Sequence, residues 1–130
     1  MLLKGKLNNF KSFKNLTELD FNATNYKILN DTNVYNNEIL KGAIFVGGNA
    51  TGKTNIILAL RVLLDMLFSD KIINLGKYKC IFSEEVLVEL GYEFNIEESN
   101  IKYDIFYDVK EKVLVEKLYL NKCIFLFLYI

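Results

Sequence analysis

With 130 residues, 52% of them apolar and 25% charged, the chain can build one hydrophobic core and is too apolar for a disordered segment. Its 16 Lys and Arg balance 16 Asp and Glu, so no net field argues for nucleic acid or an anionic membrane surface. The absence of histidine and the presence of only two cysteines, Cys80 and Cys123, exclude the familiar zinc sites. The cysteines read as buried free thiols of a reducing cytosol.

The opening stretch MLLKGKLNNF is broken by lysines and asparagines and lacks the apolar core of a signal peptide. Residues 2–13, LLKGKLNNFKSF, and 16–22, LTELDFN, predict two short strands, with Leu16, Leu19 and Phe21 turned inward. Residues 22–41 are rich in Asn, Asp and Thr and read as a loop or a short irregular helix. Ala43 to Val46 is a short apolar run that stops at a glycine, which predicts a buried parallel strand. From Lys53 to Phe68 the pattern is helical and apolar nearly all round. Arg61 and Asp65, four apart, are placed to pair on a narrow wet face.

Beyond residue 84 the period changes to two. Val86, Val88, Leu90, Tyr92, Phe94 and Ile96 fall on one face of a strand, and Ile101, Tyr103, Ile105, Tyr107 and Val109 on one face of the next. EESN (97–100) is the turn between them, and KEK leads into a third strand, VLVEKLYL, so an antiparallel meander is expected. The last run, CIFLFLYI, is too short to span a bilayer and reads either as a buried strand or as the scar of a truncated gene. No repeat or linker divides residues 1–130, which predicts a single domain. A cytoplasmic protein is expected.

Between the predicted buried strand and the helix lies the one motif that carries chemistry. Gly47, Gly48, Asn49, Ala50, Thr51, Gly52, Lys53 and Thr54 match G-x-x-x-x-G-K-[ST] without a mismatch. Glycines allow a tight turn that brings main-chain N–H groups toward an anion. The following helix adds its positive end, Lys53 supplies a compact charge for the β- and γ-phosphates, and the Thr54 hydroxyl completes a Mg²⁺ shell. Two prescribed glycines alone recur about once in 200 positions, and the Lys and Thr requirements cut that by roughly another hundredfold. GGNATG lacks the G-x-G-x-x-G spacing of dinucleotide folds. The nearest approach to the guanine motif N-K-x-D, NKCI at 121–124, ends in Ile124, which leaves ATP as the expected nucleotide.

LNNFKSFKNLTELDF together with IFVGGNATGKTNIILAL resembles the N-terminal lobe of the ABC-like AAA ATPases, the RecF, SMC and OLD group. It is most similar to abortive-infection and phage-defence ATPases with a GxNxxGKSN loop. That resemblance implies an α/β P-loop lobe: a mixed sheet, one long P-loop helix and an antiparallel meander. It further implies that Asn49 and Asn55 belong to the nucleotide site and that Lys11 approaches the phosphates from the first strand. Mg²⁺·ATP, and a homo-oligomer or a longer ATPase as partner, follow from the same likeness.

Other parts of that family have no counterpart. VLLD (62–65) lies inside the predicted helix, IFYD (105–108) is followed by Val109 where a glutamate belongs, and Glu84 and Glu85 have no preceding aspartate. Without a Walker B strand, signature loop or switch histidine, hydrolysis is expected to be slow or to require a partner. The alternative expectation is a non-catalytic module that pairs with a full-length homologue through its apolar helix and last strand.

Overall fold

A computed structural model describes residues 1–24, 30–35, 38–69, 74–96, 99–121 and 123–130. Its frame is a six-stranded sheet in the order β2–β1–β5–β6–β7–β8, built from β1 (Leu2–Asn8), β2 (Thr17–Asp20), β5 (Leu87–Ile96), β6 (Ser99–Asp108), β7 (Val113–Leu120) and β8 (Cys123–Tyr129). Between β2 and β5 the chain forms a helical turn α1 (Asn30–Asn33), a small ribbon of β3 (Val34–Tyr35) with β4 (Ile39–Leu40), and the long helix α2 (Lys53–Phe68). A 3₁₀ turn, Leu75–Tyr78, precedes β5.

Every neighbouring pair in the sheet is antiparallel. This overturns the expectation of an α/β P-loop lobe with a mixed sheet. A parallel pair needs a crossover that returns the chain in the same direction. Here β5, the first sheet strand after α2, pairs antiparallel with β1, and β5 to β8 follow as hairpins. The strand predicted at Ala43–Val46 is also absent. Residues 42–48 have no regular structure, and Ile44 and Val46 are 90% and 89% exposed. The inner strands β1, β5, β6 and β7 each already have two neighbours, so no place between them is left for a parallel strand at 43–46.

The predicted period of two is what builds the core. In register, Leu90 faces Ile105, Tyr92 faces Tyr103, and Leu7 of β1 faces Leu90, so one face of the central strands is apolar. Helix α2 spans the predicted residues and contributes Ala59, Val62 and Leu63 to the same buried cluster. The Tyr92 hydroxyl donates to the Ala59 carbonyl at 2.7 Å, tying sheet to helix inside the core. Arg61 and Asp65 pair at 3.8 Å on the wet face, as their spacing predicts.

Elsewhere the expectations are amended. Leu19 and Phe21 are half-buried, whereas Leu16 sits just before β2 and is exposed. Val86 and Ile96 flank or end β5 and are exposed, beyond the cover of the core. The hairpin after β5 is tighter than EESN, because Ser99 and Asn100 already pair with Ile96 and Asn95; Glu97 and Glu98 lie outside the described residues. Residues 25–29, 36 and 37 of the Asn-rich stretch lie outside them as well. Cys80 is buried but Cys123, on the edge strand, is exposed. The final run forms a strand, but not the buried one that was one of its two readings: β8 is exposed along its whole length.

Burial raises the Tyr92 ionisation far above the usual tyrosine range, and burial reinforced by a hydrogen bond to Glu116 does the same to Tyr103. The sign follows from the raised folded values. The stability these groups contribute is complete below about pH 10 and is lost as pH climbs beyond it, when the unfolded chain ionises first. Of the eight tyrosines, Tyr92 and Tyr103 should therefore ionise only together with unfolding, seen as ultraviolet phenolate absorbance rising in step with loss of circular dichroism. Tyr92→Phe should cost about 1–2 kcal/mol in urea unfolding, the loss of one buried hydrogen bond.

Candidate functional site

The glycine-rich segment enters from Gly42 and Ala43, which line an open apolar cleft of about 280 Å³ with Met1, Leu2, Phe21 and Leu60. It then crosses the surface to the first turn of α2. Ala50 (φ 62) and Gly52 (φ 90) both lie in the left-handed region, with one residue between them. The alternation of hand over such a stretch is what curls main-chain N–H groups into a concave anion receptor.

Two internal bonds shape the loop. The Thr51 hydroxyl donates to the Gly48 carbonyl at 2.9 Å. The Lys53 ammonium donates to the Gly47 carbonyl at 2.8 Å and to that of Gly48, and stands 3.3 Å from the Thr51 hydroxyl. Lys53 thus folds its charge back over the loop that precedes it. A β-carbon at Gly47 would stand 2.9 Å from Thr51 Oγ1, so a larger residue there would turn the Thr51 hydroxyl out of its present place.

The helix start is unusually open to an anion. Gly52 is the N-cap, so no side chain caps the first turn, and that turn contains no acidic residue. Asn49, Ala50, Thr51 and Thr54 are exposed, and Lys53 and Asn55 half-exposed.

The loop is anchored at its helix end by the turn after β1. Phe10 and Phe13 exchange main-chain bonds of 2.9 and 2.8 Å around Lys11 and Ser12. From this turn the Ser12 hydroxyl accepts from the Asn55 amide at 2.8 Å, and Phe13 and Ser12 press against Gly52. The turn is itself held from behind by Asn9, whose amide donates to the Glu85 and Leu87 carbonyls, both at 2.9 Å. Asn9, Ser12 and Phe13 lie in the NFKSF stretch that carries the resemblance, but nothing in the sequence gave any of them a role at the loop.

Lys11 is placed differently from the resemblance. Its ammonium donates to the Lys77 carbonyl at 2.8 Å and lies 5.3 Å from the Tyr78 ring centre. The structure therefore brings Asn55 and Lys53 to the loop, while Lys11 is engaged with the 3₁₀ turn. No group of three or more acidic or cysteine side chains able to hold a metal occurs among the described residues.

No protein-family model matches this chain, and no curated protein matches it. Among the described residues, no helix is long and apolar enough to cross a membrane.

The seating of the turn on the helix start can be measured. An alanine at Gly52 would take φ +90 and put its β-carbon 3.0 Å from Phe13 Cζ and 3.1 Å from Ser12 Oγ. Gly52→Ala should cost about 1–3 kcal/mol in urea unfolding. Gly48→Ala, whose nearest neighbour would be Thr51 Cγ2 at 3.9 Å, should change stability by less than about 0.5 kcal/mol. Equal costs would mean that the turn does not seat there.

Proposed function

We propose that residues 47–54 bind the phosphate end of Mg²⁺·ATP, and that the chain is a nucleotide-binding part of an ATPase related to the ABC-like AAA group. The observation that carries this reading is the Lys53 ammonium gathered over Gly47 and Gly48 at a helix start that no side chain caps. The phosphate end of the ligand fits these donors. An exposed lysine-to-carbonyl bond contributes about 1 kcal/mol net. A phosphate offers the ammonium an ion pair as well as a hydrogen bond, so it can compete with the neutral loop carbonyls for Lys53.

In this reading Gly47, Gly48, Asn49, Ala50, Thr51 and Gly52 supply main-chain donors, Lys53 the charge, and Thr54 a hydroxyl for Mg²⁺. Asn55 holds the helix start against Ser12, so that the cradle keeps its place when the ligand enters. Lys11 would have to leave Lys77 and Tyr78 to reach a phosphate, and we assign it no first contact. A bound Mg²⁺ would neutralise phosphate oxygens. Water activation needs a carboxylate near the γ-phosphate, and the sequence offers none in a Walker B setting, so we assign binding rather than hydrolysis to this chain.

Mg²⁺·ATP at millimolar concentration should raise the melting temperature of the chain, and Lys53→Ala should abolish the shift while leaving the unliganded melting temperature within about 2 °C, because the side chain packs nothing in the core. Equal stabilisation of both proteins would refute the assignment.

A further inference from the structure

The two edges of the sheet are built differently. β2, the first edge, has four residues, TELD, and carries Glu18 and Asp20 against Lys6 and Lys4 of β1. Short length and charge are the usual means of keeping a strand edge from pairing with another chain. The opposite edge has neither. β8 is seven residues long, CIFLFLY, without charge, proline or bulge, and its pairing with β7 is continuous from Leu120↔Cys123 to Leu114↔Tyr129. Among the described residues nothing pairs with its other flank.

Both faces of that strand are apolar. The register places Phe125, Phe127 and Tyr129 opposite Leu118, Glu116 and Leu114, on the face that carries the core. Ile124, Leu126 and Leu128 lie on the other face, opposite Tyr119, Lys117 and Val115. Residues 124 to 129 are between 46% and 64% exposed. Edge-to-edge pairing covers the flanks of these side chains and leaves both faces to solvent, so the open row of main-chain groups supplies much of the interface.

We propose that β8 is a dimerisation strand, pairing antiparallel with β8 of a second copy of this chain to join the two sheets edge to edge. An uncharged strand gains nothing from a charged partner. Paired with itself, it sets apolar side chains against apolar side chains on both faces and satisfies the open row of main-chain donors and acceptors. The antiparallel arrangement has a two-fold axis and closes on itself. Because β2 guards the remaining edge, assembly stops at two copies. The dimer is independent of nucleotide binding at residues 47–54.

The test uses the whole chain. Sedimentation at micromolar concentration should give a dimer. Phe127→Lys and Leu126→Glu place a charge on either face, each beside an opposite charge on β7, Glu116 and Lys117, so the monomer tolerates them. Each should weaken association at least a hundredfold with circular dichroism unchanged. Cys80 is buried, so a spin label attaches at Cys123 alone, and antiparallel pairing centred near Leu126 puts the two labels roughly 20 Å apart. A wild-type monomer, a ladder of larger species, Cys123 pairs close enough to form a disulfide, or dimeric forms of both variants would each overturn the proposal.

Discussion

The position of the glycine-rich loop depends on how α2 is docked. Ala59, Val62 and Leu63 enter one buried cluster with Leu90, Tyr92, Tyr103 and Ile105, and the Tyr92 hydroxyl closes the contact on the Ala59 carbonyl. Apolar packing of this kind supplies most of the stabilisation but little direction. The hydroxyl bond adds about 1 kcal/mol and also fixes where along the helix the sheet is met. With that point set, the first turn of α2 comes to the turn at 10–13, where Ser12 and Phe13 receive Asn55 and Gly52.

The glycine-rich loop is therefore restrained from one side. At its helix end it has a hydrogen bond, a ring contact and a left-handed glycine; on its approach Ile44 and Val46 lie in solvent. In a parallel sheet the approach would be a strand buried between neighbours. Here the flanks of the inner strands are filled by hairpins, and the loop takes its shape from Thr51 and Lys53 acting on Gly47 and Gly48. The first turn of α2 has no side-chain cap and no acidic residue, so nothing there would repel an anion.

The elements governed by local pattern were legible in the sequence. α2 runs over the predicted residues because its interior contains no glycine or proline. The meander was legible because period two sets Val88, Leu90 and Tyr92 on one face and Tyr103 and Ile105 on the next. What depended on distant partners was not. Nothing in the composition of Ala43–Val46 says whether a flank is free for it. Nothing in CIFLFLYI says whether another layer covers it, and β8 carries the same apolar sequence whether buried or exposed. The loop residues were marked out as candidates by their spacing. The part played by Ser12 and Phe13 was not, since it comes from a tertiary contact 43 positions apart in the case of Ser12 and Asn55. Lys11, singled out by the resemblance alone, donates here to the Lys77 carbonyl and lies beside the Tyr78 ring.

The loop as a phosphate receptor is tested most directly by following main-chain amide resonances during titration with Mg²⁺·ATP, with adenosine as the control. ATP should shift the amides of Gly47, Gly48, Thr51, Gly52 and Lys53 along one saturable curve, and adenosine should leave them in place. Loop amides unmoved by ATP, or moved equally by adenosine, would contradict a phosphate-binding role.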